Sequence, residues 1–183
     1  MIILLCGMSG AGKSTLSTAV SKKLEKEGLP CEVIDGDEYR GQLFKDLGYS
    51  LSDRRENMRR LSFLANKFSK KGIITIISAI NPFEQIRQEI KAIYKQVKIV
   101  YIHCEVEKLM ERDTKGLYRR SQLPDGHPDK VYNLTGVNQV FEAPKDPDLC
   151  VKTDCEPLDK SIDRLYRFIA KTIRKEELNI GYA

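Results

Sequence analysis

The strongest constraint on this chain is Gly7-Met8-Ser9-Gly10-Ala11-Gly12-Lys13-Ser14, followed by Thr15 and set directly behind the apolar run Ile2–Cys6. Residues this small add little to a core. They let the backbone curl so that successive N–H groups point inward, as phosphate oxygens require. The spacing is G-x-x-x-x-G-K-[ST] between a strand pattern and a helix pattern, the context that marks a phosphate-binding P-loop. The helix start adds a positive partial charge. Lys13 suits the β- and γ-phosphates and the Ser14 hydroxyl suits Mg²⁺. A plain glycine-rich turn is the alternative, and it does not explain why strand, full motif and helix occur together. A nucleoside triphosphate is therefore expected. The motif does not name the acceptor.

The rest of the chain alternates in the same way. Runs at 2–6, 31–35, 73–79, 97–104 and 149–153 are short, often β-branched and little alternating, as strands buried on both faces are. Leu16, Val20 and Leu24 mark one helix; Leu61, Leu64, Ala65 and Phe68 another; Leu158, Ile162, Leu165, Ile169 and Ile173 the last, which Pro157 can open. The pattern predicts an α/β fold of the P-loop NTPase type: three α/β/α layers around a central five-stranded parallel sheet. The 183 residues suit one domain. Residues 116–148, rich in Gly and Pro, break the rhythm, and a mobile lid over about 112–148 is expected.

Composition narrows the class. Charged residues are 31% and hydrophobic ones 41%, so a packed core is expected. No apolar run approaches the ~18–20 residues of a membrane span, and residues 1–6 are too short for a signal peptide, so a cytoplasmic protein without membrane partners is expected. The five cysteines form no C-x-x-C pair and are expected as free thiols; His103 and His127 are too few and too far apart for a zinc site. A net charge of +5 favours anionic ligands. No basic run with interleaved aromatics supports a nucleic-acid surface.

Two further clusters bear charge. Asp35-Gly36-Asp37-Glu38-Tyr39-Arg40 ends the second strand, where ligands of open parallel sheets gather. Carboxylates beside phosphates imply a metal-linked water or a base that takes a proton from an attacking hydroxyl; an aspartate helix cap with a solvated arginine is the plainer alternative. In Asp53-Arg54-Arg55-Glu56-Asn57-Met58-Arg59-Arg60, Asp53 and Glu56 make a capping-box-like pair, and Arg54, Asn57 and Arg60 share one helix face. That face suits an anion and a base or ribose, or is simply solvated. Arg112, Asp113, Lys115, Arg119 and Arg120 lie near the lid, where cations can close over a phosphoryl group and exclude water.

These blocks, in order, resemble adenylylsulfate (APS) kinases: "GMSGAGKS", "DGDEYR", "LGYSLSDRRENMRR", "SAINPF", "RDTKGLY", "LTGVNQVFEAP" and "KTD". The resemblance implies ATP-dependent phosphorylation of the 3′-hydroxyl of adenylylsulfate, with Mg²⁺, giving 3′-phosphoadenylylsulfate and ADP. It implies that Gly7 to Thr15 hold the ATP phosphates and that Asp37 is the base, with Lys13, Asp35 and Lys115 as further catalytic groups and Ser14 and Asp35 at the metal. Arg40, Tyr49, Arg54, Asn57, Ile80, Asn81, Lys115, Leu134 and Thr135 would hold the acceptor. Arg112, Cys155 and Pro157 would hold the adenine end of ATP. Small nucleotides are the implied partners, and a homodimer is allowed by the family.

The chain also departs from the family pattern. Asn81 stands where many members carry a serine assigned as a phosphorylated intermediate, which implies direct transfer. Glu38-Tyr39 replaces Asn-[Ile/Val]. Leu134 replaces the phenylalanine expected over the acceptor's adenine, Phe141 replaces a tyrosine, and residues 123–130 lengthen the lid. Donor motifs are intact while acceptor positions drift. A paralogue acting on another nucleotide anhydride, such as cytidine diphosphoramidate, and a nucleotide-gated binding module stand as alternatives.

Overall fold

The computed structural model describes residues 1–180. Five strands, β1 (Ile2–Cys6), β2 (Cys31–Asp35), β3 (Ile74–Ser78), β4 (Val97–His103) and β5 (Leu149–Lys152), form one sheet in the order β2-β3-β1-β4-β5. All four pairings are parallel. The helices are α1 (Lys13–Lys26), α2 (Gly36–Gln42), α3 (Leu51–Ser69), α4 (Glu84–Ile93), α5 (Val106–Arg112), α6 (Leu117–Ser121) and α7 (Leu158–Ile180). The expected three-layer α/β/α arrangement is what the chain adopts.

The central strands read as continuous apolar runs because both faces are covered. Ile3 and Leu5 face one core with Leu16, Val20 and Leu24 of α1 and Leu165 and Ile169 of α7. Ile2, Leu4 and Cys6 face the other, with Met58, Leu61 and Ala65 of α3 and Ile86 and Ile90 of α4. Each fully buried aliphatic side chain contributes about 1.5–3 kcal/mol. Exposed pairs such as Lys23–Asp163 contribute at most ~1 kcal/mol. The apolar stripes therefore set where the helices lie.

Three local expectations change. Ser50, not Asp53, caps α3: the Ser50 hydroxyl accepts from the Asp53 N–H at 3.1 Å and Asp53 reaches back to Ser50. The capping box is thus shifted three residues ahead of the Asp53/Glu56 pair. Arg60 turns away from Arg54 and Asn57 and binds Asp46 and Glu56 at 2.7–2.8 Å, because the opposing carboxylates lie on that side of the helix. The stretch 112–148 contains α6, and Tyr118 and Leu134 join the first core, so part of the expected lid is packed against the body. Cys6, Cys31 and Cys104 are buried free thiols, as expected, whereas Cys155 is exposed.

β1 leads through α1 to one side of the sheet, while β4 leads to β5 on the other. The loops after these neighbouring strands diverge, which opens a crevice above the carboxyl end of β1. The glycine-rich turn, the end of β2 and the end of β3 all meet there.

Candidate active site

The turn after β1 is built for close approach. A side chain at Gly7, where φ is 153°, would put its Cβ 2.3 Å from the Ile102 carbonyl oxygen. Gly10 and Gly12 have φ of 78° and 95°. Between these positions Ala11 packs into the core and Met8 against it. Ser9, Gly10, Gly12, Lys13, Ser14 and Thr15 line a cleft of about 150 Å³ with Asp35, Asp37, Ser78, Thr114 and Lys115. Lys13 arches over the turn, donating to the carbonyls of Gly7 at 2.9 Å and Met8 at 2.8 Å. Burial, partly offset by Asp37 and reinforced by Lys115, brings its ammonium down from 10.5 to about 8.

Ser14 donates to Asp35 Oδ2 at 2.6 Å and lies 3.4 Å from the Ser78 hydroxyl. Asp35 also caps α2, accepting from the Asp37 N–H at 2.9 Å. Partial burial alone would raise its carboxyl. Hydrogen bonds from Ser14, from the N–H groups of Asp37 and Glu38 and from Ser78 outweigh that and hold it below the ordinary aspartate range. Two hydroxyls and an ionised carboxylate form an all-oxygen donor set, which fits Mg²⁺. One group of ligating atoms lies elsewhere: His103 is 3.6 Å from Glu105 and 3.9 Å from Asp154.

Asp37 projects from the first turn of α2, and Lys115 meets its Oδ2 at 2.5 Å. Lys115 follows Asp113, which takes a positive φ of 25° and ties the turn to α6 by accepting the N–H groups of Tyr118 and Arg119 at 2.9 and 3.0 Å. The Tyr118 hydroxyl donates to the Ser9 carbonyl at 2.8 Å, so the Lys115 loop is moored to the glycine-rich turn.

Beyond Asp37 a larger cleft of about 750 Å³ opens, lined by Arg40, Tyr49, Arg54, Ile80, Leu134 and Thr135 among others. Asn57 and Asn81 line an adjoining recess of about 50 Å³ with Asp37, Arg40, Tyr49 and Arg54. Both guanidiniums flank the Tyr49 ring, at 5.0 Å for Arg40 and 5.6 Å for Arg54. Arg54 is buried; it donates to Tyr49 O at 3.1 Å, Asn133 O at 3.3 Å and Gln139 Oε1 at 2.6 Å. Burial, with the neighbouring Arg40 charge, lowers its pKa below the ordinary arginine range.

A third cleft, of about 320 Å³, continues past Gly12 and Thr15 between Arg112, Thr153, Glu156, Leu158 and Ser161. Arg112 donates to Thr153 O at 2.6 Å, and the Thr153 hydroxyl donates to Ala11 O at 3.0 Å. Cys155 and Pro157, expected at the donor's adenine end, lie outside this lining, and their neighbours Glu156 and Leu158 occupy it.

The chain thus joins a triphosphate cradle to a basic cleft through one carboxylate. Residues 1–152 match the family model described as adenylylsulphate kinase. The chain is 37% identical over 163 residues to the adenylyl-sulfate kinase of Gloeothece citriformis, covering 89% of this chain and 90% of the relative. The chain belongs to the adenylylsulphate kinase family. A probable adenylyl-sulfate kinase of Synechocystis is 38% identical over 165 residues, 90% of each chain. The Mycobacterium tuberculosis APS kinase solved with AMPPNP and APS superimposes with a TM-score of 0.84 at 29% identity, covering 92% of this chain and 96% of that one. A Sinorhizobium meliloti gluconokinase, at 16% identity and a TM-score of 0.58, shares the fold alone.

As an adenylylsulphate kinase relative, the chain is an ATP-binding kinase. The low Lys13 value gives a pH signature. The phosphates of ATP should restore the charge that burial disfavours, so the bound lysine titrates higher than about 8. Below that pH both states are protonated and affinity is flat. Above it, ATP binding takes up a proton and weakens up to ~tenfold per pH unit. Calorimetry in buffers of different ionisation heat should record uptake of a fraction of a proton at pH 8.5 and none at pH 6.5.

Two residues beside the candidate site are not legible in the sequence. Gln139 receives Arg54 and donates to Asn133 Oδ1 at 3.3 Å, clamping residues 133–139 onto α3. Arg87, fully buried, donates to Asn81 O and Glu142 O at 2.6 Å each and to Glu84 Oε2 at 2.7 and 3.0 Å. Glu142 in turn accepts the Glu84 N–H at 2.7 Å. Spacing along α4 shows only a possible Glu84–Arg87 pair; the partners at 81 and 142 come from elsewhere in the chain.

Proposed function

We propose that this protein transfers the γ-phosphoryl group of ATP to the 3′-hydroxyl of adenylylsulfate, giving ADP and 3′-phosphoadenylylsulfate. The observation that carries the reading is the position of Asp37. It lines both the phosphate cleft and the basic cleft, at the only ion pair, with Lys115, that spans their junction among the described residues. A donor in the first and an acceptor in the second would meet at this carboxylate.

The steps follow from the residues. Backbone amides of Gly7 to Ser14 and the Lys13 ammonium hold the β- and γ-phosphates. Ser14 and Asp35 would hold Mg²⁺, which would supply charge neutralisation for the phosphates. Arg40 and Arg54 hold the anionic phosphosulfate of the acceptor. Asp37 Oδ1 or Oδ2 takes the proton of the 3′-hydroxyl as its oxygen bonds to the γ-phosphorus. The bond from that phosphorus to the β–γ bridging oxygen breaks, and the electron pair leaves with ADP. Lys115 moves from Asp37 toward the transferring group, whose equatorial oxygens carry the charge. Asn81 has no hydroxyl to esterify, so the phosphoryl group passes directly between the substrates. Arg112 and the cleft up to Leu158 receive the adenosine of ATP.

The test is incubation of the protein with γ-labelled Mg-ATP and adenylylsulfate. Label recovered on the 3′-oxygen of the acceptor is expected. Label released only as inorganic phosphate, or carried by a different nucleotide acceptor while adenylylsulfate stays unmodified, overturns the reading.

A further inference from the structure

The ends of β4 and β5 bring together a second set of charged side chains. The Thr153 N–H donates to the His103 carbonyl at 3.0 Å, and the Glu105 N–H donates to Asp154 Oδ2 at 3.1 Å. These bonds set His103, Glu105 and Asp154 side by side, although Asp154 follows Glu105 by 49 positions. One ligating atom from each lies within 4.8 Å of the others, the only such trio of His, Cys, Asp or Glu among the described residues. Histidine spacing in the sequence gives no hint of it, because the other two members are carboxylates. The trio is not a closed ion pair. His103 Nε2 is 3.6 Å from Glu105 Oε1, and His103 Nδ1 is 3.9 Å from Asp154 Oδ1, both too long for a hydrogen bond. Buried polar atoms normally find partners. His103 Nδ1 and Asp154 Oδ1 are buried and have none, and the Asp154 side chain is only 7% exposed. A neutral imidazole with its proton on Nε2 turns a lone pair toward those of Oδ1. What suits that gap is a cation.

We propose that His103 Nδ1, Asp154 Oδ1 and a Glu105 carboxylate oxygen bind one divalent ion of the zinc class, with water completing the tetrahedron. An imidazole nitrogen beside two carboxylates favours that class over Mg²⁺, which takes oxygen ligands. Zinc bonds to such ligands are ~2.0–2.2 Å long, so tetrahedral neighbours stand roughly 3.3–3.5 Å apart. A small rotation of the imidazole closes the gap to Asp154. Glu105, whose side chain is 67% exposed, swings inward at little cost. The site is separate from Ser14 and Asp35, which lie in α1 and at the end of β2. Its consequence is mechanical. Thr153 and Glu156 line the third cleft, and Glu105 caps α5. The ion would clamp the segment that carries Thr153 and Glu156 to the start of that helix.

The test is titration of the nucleotide-free, metal-stripped protein with Zn²⁺ against a chromogenic chelator, and with Co²⁺ followed by its visible absorption. One ion per chain is expected, with a rise in Tm of about 5–10 °C at ~100-fold over Kd. Loss of a ligand should cost at least the ~10-fold that loss of an outer-shell partner costs. His103→Phe, Asp154→Asn and Glu105→Gln should each weaken binding by that much, and the Co²⁺ band should fade with them. Glu105→Gln decides the matter if the other two unfold, because its side chain is exposed. His127→Ala should bind as the wild type does. Uptake of no ion, uptake within about threefold of wild type in Glu105→Gln, or uptake abolished by Cys155→Ser but kept by His103→Phe overturns the site.

Discussion

Asp37→Asn is expected to lower turnover by ~10²-fold or more, the scale of losing a positioned general base, while ATP affinity changes less than about threefold. The substitution is nearly isosteric. The Asp37 N–H is held by Asp35 at 2.9 Å, so α2 still begins in the same place. The side chain is 70% exposed, and its pair with Lys115 is a surface pair that contributes at most ~1 kcal/mol. Stability should therefore be almost unchanged. What disappears is the proposed acceptor for the hydroxyl proton, a carboxylate that lines both the phosphate cleft and the basic cleft. Because the amide cannot take that proton, kcat should fall and the acceptor KM should move little. Single-turnover kinetics with nucleotide binding measured in parallel separates these terms. Turnover within threefold of wild type would remove Asp37 from the chemistry.

Arg87→Met should have the largest effect on stability. Removing one partner of a buried charged network costs about 3–5 kcal/mol, because the remaining groups stay buried without compensation. Here those groups are the Glu84 carboxylate and the carbonyls of Asn81 and Glu142. Methionine fills most of the volume, so the loss reports charge and hydrogen bonding rather than a cavity. At ~2–4 °C per kcal/mol for a chain of this length, a fall in Tm of roughly 10 °C is expected. Calorimetric unfolding checks it. A Tm within 2 °C of wild type would mean that the network contributes little. Near-saturating ligand should recover part of the loss, since the Asn81 loop borders the acceptor cleft.

How much the sequence reveals depends on the distance between interacting residues. The glycine-rich turn is local: the eight consecutive residues Gly7 to Ser14 define it, and a buried strand and an amphipathic helix flank it. The same locality makes the five strands and the long helices readable from apolar runs. The acceptor side is not local. Arg54 and Asn57 share a helix face that is readable, but their neighbour Arg60 is drawn to Asp46, 14 positions away, and leaves that face. Gln139 and Glu142 act on residues 55 to 85 positions earlier, and no period marks them. The cap of α3 is ambiguous in the sequence because Ser50 and Asp53 both offer capping oxygens; in the structure Ser50 is the cap and Asp53 completes the box. Cys155, whose thiol meets Asp154, lies outside the lining of the third cleft, while its neighbours Glu156 and Leu158 are part of it.

The measurement that bears most directly on the central claim is a crystal structure with a non-hydrolysable ATP analogue and adenylylsulfate bound together. The account predicts the 3′-oxygen about 2.6–3.2 Å from an Asp37 carboxylate oxygen and about 3–3.5 Å from the γ-phosphorus, in line with the bond to be broken. A 3′-oxygen facing away from Asp37, with no straight path to that phosphorus, would contradict it.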